Sequence, residues 1–212
     1  MFDRGREKLL EKKIKKEGEI PTCVALVISA GPTGPRWWLK VRDLAEWSIS
    51  LGIREAALFF ESPSSGSSGD AGEVEEAAKE LSDLPAKGTL LFEDEEISFG
   101  KGGPLELVVS IGPGRGGKAE VTEAIRSILE DVQSGLIDPD EIDEAAIEAR
   151  LRLKLWPDLM IRLGGKELSD FMIWQSAYSE LYFIDRSWDR LEKADFLRAV
   201  GEYQKRERRF GR

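Results

Sequence analysis

The sequence contains no histidine and a single cysteine, Cys23. Without histidine there is no Ser-His-Asp or Cys-His relay and no imidazole-ligated zinc. One cysteine closes no intramolecular disulfide. Together with the lack of a signal-peptide pattern, this leads us to expect a reducing cytoplasm. No apolar run approaches the ~20 residues that a membrane-spanning helix needs. Cations are in the minority, with 31 Lys+Arg against 40 Asp+Glu, a net charge of -9. A general nucleic-acid binder needs the opposite surplus to neutralise phosphates, so no nucleic-acid partner is expected. The remaining chemistry must come from carboxylates, arginines, backbone amides or a bound metal.

What is present reads as one α/β domain spanning residues 1–212, with a mainly parallel central sheet flanked by helices. The hydrophobic fraction of 41% is enough for one sizeable core. Residues 3–19 are almost wholly charged and read as a wet first helix ending near Gly18. Its Lys12, Lys13, Lys15 and Lys16 could touch anionic lipid, a peripheral membrane contact. Interleaved acids suit a plain solvated face as well. The unbroken apolar run VALVI at 24–28 suits a strand buried on both faces. Ser29 to Pro35 is too rich in Gly and Pro for helix or strand. A helix is expected over 37–51 with Gly52 as its stop, then a strand at 56–60. Residues 62–72 (SPSSGSSGDAG) read as a flexible loop, followed by a short acidic helix at 73–81. Strands are expected at 89–92, 97–99, 105–111 and 159–162, with a short one at Tyr182 and Phe183. Helices are expected at 119–133, 139–152, 171–179 and 193–208.

Residues 112–117, GPGRGG, match G-x-G-x-x-G between a strand and a helix, the setting of a dinucleotide or phosphate site. The acidic residue that should close a second strand ~20 positions on is missing, because the segment there reads as a helix start. A nucleotide- or phosphate-binding module therefore stays as one alternative.

The last third is more specific. PDLMIRLGG at 157–165, SDFMIWQSAYSELYF at 169–183 and YQKRERRFG at 203–211 resemble the most diagnostic block of the cis-prenyltransferases, the undecaprenyl diphosphate synthase family. IPTCVALVI at 20–28, GPGRGGKAEVTEAIRSI at 112–128 and GLIDPDEID at 135–143 are weaker echoes. The resemblance implies the family fold. It also implies condensation of isopentenyl diphosphate onto an allylic diphosphate with Mg²⁺. Such a site needs arginine forks and backbone amides for diphosphate, and a carboxylate for the metal. Carried over position by position, Arg162 and Ser169 match residues that bind the homoallylic diphosphate. Glu180 matches a glutamate linked to the metal. Arg209 and Gly211 match an R-x-G motif that reaches across the family's dimer. Structural ion pairs for Arg162 and Glu180, and a solvated tail for Arg209, are the plainer readings.

The front half departs from the family. Ser29 stands where the family's metal-binding aspartate is expected, and no carboxylate or arginine follows before Arg36. A second arginine before Ser169 is missing. Phe60-Glu61-Ser62-Pro63 replaces a Phe-Ser-Thr-Glu-Asn-Trp element, and the stretch 62–103, where the family builds its product tunnel, is short. The pattern resembles the Nogo-B receptor-like accessory subunits of heteromeric cis-prenyltransferases, which contribute R-x-G to a catalytic partner. The resemblance thus implies no catalytic residue in this chain, a heterodimer or heterotetramer with a catalytic subunit, and Mg²⁺ held mainly by that partner. Trp174, Tyr182 and Phe183 would form the interface, with Trp188 as a further candidate, unless they fill the chain's own core. A self-sufficient homodimeric enzyme with altered chemistry is the other alternative.

Overall fold

The computed structural model describes residues 4–29, 36–61, 71–93, 95–112, 116–165 and 170–206. Seven strands form one sheet in the order β4-β3-β5-β2-β1-β6-β7. They are β1 (Cys23–Ile28), β2 (Glu55–Glu61), β3 (Ala86–Phe92), β4 (Glu95–Phe99), β5 (Leu105–Gly112), β6 (Leu159–Leu163) and β7 (Glu180–Ile184). Every neighbouring pair is parallel except β3 with β4. The expected α/β class with a mainly parallel sheet is therefore what the chain forms.

β1 lies inside the sheet between β2 and β6, and all six of its residues are buried. Its alternate side chains serve two cores. Val24, Leu26 and Ile28 face one layer with α2 (Trp38–Leu51) and α6 (Lys193–Tyr203). Cys23, Ala25 and Val27 face the other, with Phe59, Met160, Phe171 and Met172. This two-sided burial explains why the strand reads as an unbroken apolar run rather than an alternating one. Burial pushes the Cys23 thiol far above its ordinary value, so it is a packing residue, not a nucleophile.

Helix α1 (Arg4–Glu17) packs on α6, tied by Lys193 to Glu11 at 2.7 Å. Gly52 ends α2 at φ 84°, and its N–H reaches Ile49 and Ser48 carbonyls. Asp158 joins the starts of β1 and β6 by accepting from the Thr22 N–H at 2.7 Å and the Cys23 N–H at 3.1 Å. α3 (Ala71–Glu80) and α4 (Gly117–Gln133) complete the longer helices. Ala71 and Gly72 open α3, and the rest of the expected 62–72 loop lies outside the described residues.

Two expected helices are corrected. Residues 139–152 form a 3₁₀ turn, Pro139–Glu141, and then the short α5, Glu144–Glu148. Asp143 caps a new start by accepting from the Ala146 N–H at 2.9 Å, so the helix is restarted rather than continued. Residues 171–178 are successive turns. Met172 has φ +52°, in the left-handed region, which a right-handed helix cannot include. Trp188 is 3% exposed and meets Phe60 edge-on at 5.2 Å, so it belongs to the chain's own core and not to an interface.

Candidate active site

Chain order reverses at β1. The chain leaves β1 for β2 on one side and returns later to β6 on the other. In open parallel sheets, ligands bind outside the carboxyl ends of the strands at such a reversal. Ser29 and Arg162 both stand there. Val27 pairs with Arg162 and Ile28 with Leu163 in register. Ser29 follows directly, donating its hydroxyl to the Leu163 carbonyl at 2.8 Å. That bond spends the hydroxyl on the sheet.

Gly164 at φ 75° and Gly165 then carry the backbone closely over this point. A Cβ on Gly165 would stand 3.2 Å from Ser29 Oγ, 3.8 Å from Arg162 Nε and 3.9 Å from its Nη2. The guanidinium crosses beneath toward β2, where Nη1 lies 2.7 Å from Glu61 Oε2. The Arg162 side chain is only 12% exposed and Glu61 27%. Close as the pair is, Nε and Nη1 of Arg162 are buried with no acceptor aligned for a hydrogen bond. The contact is therefore mainly charge on charge, and these two buried donors are unspent. An oxyanion with several oxygens, such as a diphosphate, is the partner that such a fork fits.

Glu61 carries a signal that sequence reading passed over. It is a carboxylate directly after the apolar run Ala56–Phe60, at the mouth end of a central strand. Of the described residues closing β1, β2, β5 and β6, it is the one acid. Among the described residues no group of three or more Cys, Asp or Glu forms a metal cage. Among the described residues that close these four strands, a divalent ion would find one carboxylate, Glu61. That is enough for Mg²⁺, which is commonly held by one or two carboxylates plus substrate phosphates.

The other expected residues are dispersed. Glu180 opens β7 level with Leu159, three rungs below Arg162 and ~10 Å away along the strand. It accepts from Arg206 Nη1 at 2.8 Å, and Arg206 also donates to the Leu181 carbonyl at 2.9 Å. Within this chain Glu180 is thus an ion-pair residue outside the crevice. Ser169, Arg209 and Gly211 lie outside the described residues. Trp174 turns its Nε1 toward Glu148 Oε1 at 3.5 Å, and Tyr182 leans on the core. Phe183 is 42% exposed, and Tyr178, in the turns before β7, is 67% exposed.

The second layer holds a cleft of about 260 Å³. Leu91, Ser110 and Phe59 form its floor on a single rung of three strands. Phe171, stacked on Phe59 at 3.9 Å, forms its wall with Met172. Glu61 lies one same-face step from Phe59 toward the crevice. At the start of α4, the Asp170 carboxylate occupies the space beside Gly116. It puts negative charge where the nucleotide reading of residues 112–117 needs a phosphate; residues 113–115 themselves lie outside the described set.

Comparisons with known proteins agree with this layout. Residues 93–211 match the family model described as "Putative undecaprenyl diphosphate synthase". A tritrans,polycis-undecaprenyl-diphosphate synthase (geranylgeranyl-diphosphate specific) of Methanopyrus kandleri is 34% identical, covering 97% of this chain and 90% of its own. The protein of the same name from Methanocaldococcus jannaschii is 31% identical over 97% and 88%. Lavandulyl diphosphate synthase from Lavandula x intermedia, solved with dimethylallyl diphosphate, superposes with a TM-score of 0.66. It covers 91% of this chain and 99% of its own at 23% identity, a likeness of fold. The relatives matched along nearly the whole chain are named as synthases in their own right. This overturns the expectation of a non-catalytic accessory half that depends on a catalytic partner subunit. The departures at Ser29, before Ser169, at 60–63 and over 62–103 did not justify that step.

Proposed function

The chain belongs to the cis-prenyltransferase family of undecaprenyl diphosphate synthase, and on that premise we propose that it is a self-sufficient prenyl diphosphate synthase. It condenses isopentenyl diphosphate with an allylic diphosphate without a second kind of catalytic subunit. The observation that carries this reading is the near full-length match to relatives named as synthases. The crevice geometry supports it, because Arg162 keeps buried, unspent donors at the strand ends where a diphosphate would sit. Arg162 holds and orients that diphosphate. Gly165 leaves room for it, and Arg209 and Gly211 are proposed to add donors from the tail. Mg²⁺, when bound, would neutralise diphosphate charge in the crevice, with Glu61 as the chain's carboxylate toward it. Phe183 and Tyr178, exposed on and beside edge strand β7, are where a second copy of the same chain would pack.

We further propose a product shorter than the relatives' undecaprenyl chain. The alignment with the Methanopyrus protein runs over 249 positions, more than the 212 residues here, so the relative carries segments with no counterpart. The layer under α2 and α3 is filled. Phe60 and Leu90 are both 0% exposed, and the Phe99 ring occupies the space over Gly88. The open cleft of about 260 Å³ lies on the other face. An apolar cavity of ~150 Å³ accommodates benzene, so by volume alone this cleft, which Glu120, Glu123 and Arg152 also line, has room for roughly ten carbons, or two isoprene units. The test is to incubate the purified chain with labelled isopentenyl diphosphate, Mg²⁺ and either dimethylallyl or geranylgeranyl diphosphate, and to size the products. Products extended by only a few units support the reading. Undecaprenyl-length product would remove the chain-length part, and no transfer with either primer would remove the whole.

A further inference from the structure

Glu61 raises a question that the proposed reaction does not answer, namely why an acid sits on the arginine that should receive a diphosphate. We propose that Glu61 is a counter-ion that changes partner. Without a diphosphate it neutralises Arg162. When a diphosphate takes the guanidinium, the released carboxylate joins the diphosphate oxygens in holding a divalent cation. The inference rests on the reading that this edge binds a diphosphate.

Three observations point this way. Ser29, which closes the central strand, has its hydroxyl committed to the Leu163 carbonyl at 2.8 Å and is a poor hard-cation ligand beside a carboxylate. Glu61 stands on the adjacent strand at the next rung, since Ile28 pairs with Phe60. A carboxylate is thereby kept at the crevice although the strand that ends in Ser29 has none. Second, the Arg162–Glu61 contact is short, at 2.7 Å, yet leaves Nε and Nη1 without an aligned acceptor. A pair built only for stability would direct those donors at the carboxylate. A pair waiting for a better-fitting anion need not. Third, Glu61 is the more exposed partner, at 27% against 12%, so it can swing toward solvent while the arginine stays in place. In the exchange the diphosphate replaces the carboxylate on the arginine, and the cation offsets part of the negative charge that the diphosphate adds.

Calorimetry with inorganic diphosphate, with and without Mn²⁺, tests this, with Mn²⁺ occupancy read independently by electron paramagnetic resonance. The wild-type protein should bind diphosphate alone and more tightly with Mn²⁺. Glu61→Gln should shift the two arms in opposite senses. Without metal, removing a partly exposed competitor should tighten binding about two- to fivefold. With metal, the Mn²⁺-dependent gain should fall by roughly tenfold as the ligand is lost. Glu106→Gln, at the opposite end of the sheet, should move neither arm. If the Gln variant folds poorly, Glu61→Asp keeps a carboxylate but shortens it. It should then tighten metal-free binding and retain the Mn²⁺ gain, and failure of either would count against the exchange. A Gln variant that weakens metal-free binding, or keeps the full Mn²⁺ gain, overturns the inference. Wild-type protein that binds no diphosphate in either arm instead overturns the underlying reading of the crevice.

Discussion

Replacing Arg162 by methionine isolates the group on which the active-site reading depends. Methionine keeps an unbranched stem for a side chain that is 12% exposed, so most packing survives while the fork is removed. Glu61 is left unpaired, but it is 27% exposed and can hydrate, so the stability cost should be about 1 kcal/mol. The binding cost should be larger. A hydrogen bond to a charged partner contributes ~1.5–3 kcal/mol, and loss of one such interaction weakens binding about 10- to 150-fold. Isothermal calorimetry with isopentenyl diphosphate measures this directly, and urea denaturation gives the stability term. Arg162→Lys should fall between, since it keeps charge without bidentate geometry. If Arg162→Met binds isopentenyl diphosphate within twofold of wild type, the crevice at β1 and β6 is not the diphosphate site.

Three further expectations follow from the packing. Gly165→Ala places a Cβ 3.2 Å from Ser29 Oγ and crowds Arg162, so isopentenyl diphosphate affinity should drop several-fold. Its melting temperature should stay within about 4 °C of wild type. Phe60→Ala removes a fully buried ring wedged between Trp37 at 5.7 Å and Trp188 at 5.2 Å and should cost about 3–5 kcal/mol in urea unfolding. Burial alone would raise the Glu11 carboxyl, but hydrogen bonds and charge from Lys15 and Lys193 outweigh it and lower it from 4.5 to about 2. Because the folded value lies below the unfolded one, the stabilisation is complete above about pH 4.5 and fades as the pH falls toward 2. Urea midpoints between pH 5 and 2.5 should therefore flatten in Lys193→Met, by on the order of 1 kcal/mol after screening.

The sheet was legible from the chain because buried parallel strands have a local signature. VALVI is a continuous apolar run and LELVVSI a largely apolar one, broken by Glu106 and Ser110, and both are interior strands. The turns at 171–178 were not legible, because their apolar spacing suits a helix and the left-handed φ of Met172 follows from its tertiary setting. The 139–152 segment misled for a related reason: Asp143 can be read as a mid-helix residue until its capping bond to Ala146 is seen.

The site was half legible. Arg162 could be picked out by its motif, but its partner Glu61 is about a hundred positions earlier, and only the register of β1 with β2 and β6 brings them together. Glu180 shows the converse. Its motif suggested a metal, whereas its position at the foot of β7 gives it Arg206. The functional error came from reading the front-half departures, namely Ser29 for an aspartate, the missing second arginine, the altered 60–63 element and the short 62–103 stretch, as a missing function. In a parallel sheet the strand ends lie only ~4.8 Å apart, so a neighbouring strand can present a carboxylate to the same crevice.

The most direct measurement is release of pyrophosphate by this chain alone, purified to homogeneity and supplied with isopentenyl diphosphate, an allylic diphosphate and Mg²⁺. A self-sufficient synthase gives sustained pyrophosphate release matched to prenyl transfer, and Arg162→Met suppresses it. No turnover alone, with turnover appearing only after a different catalytic chain is added, would contradict the account.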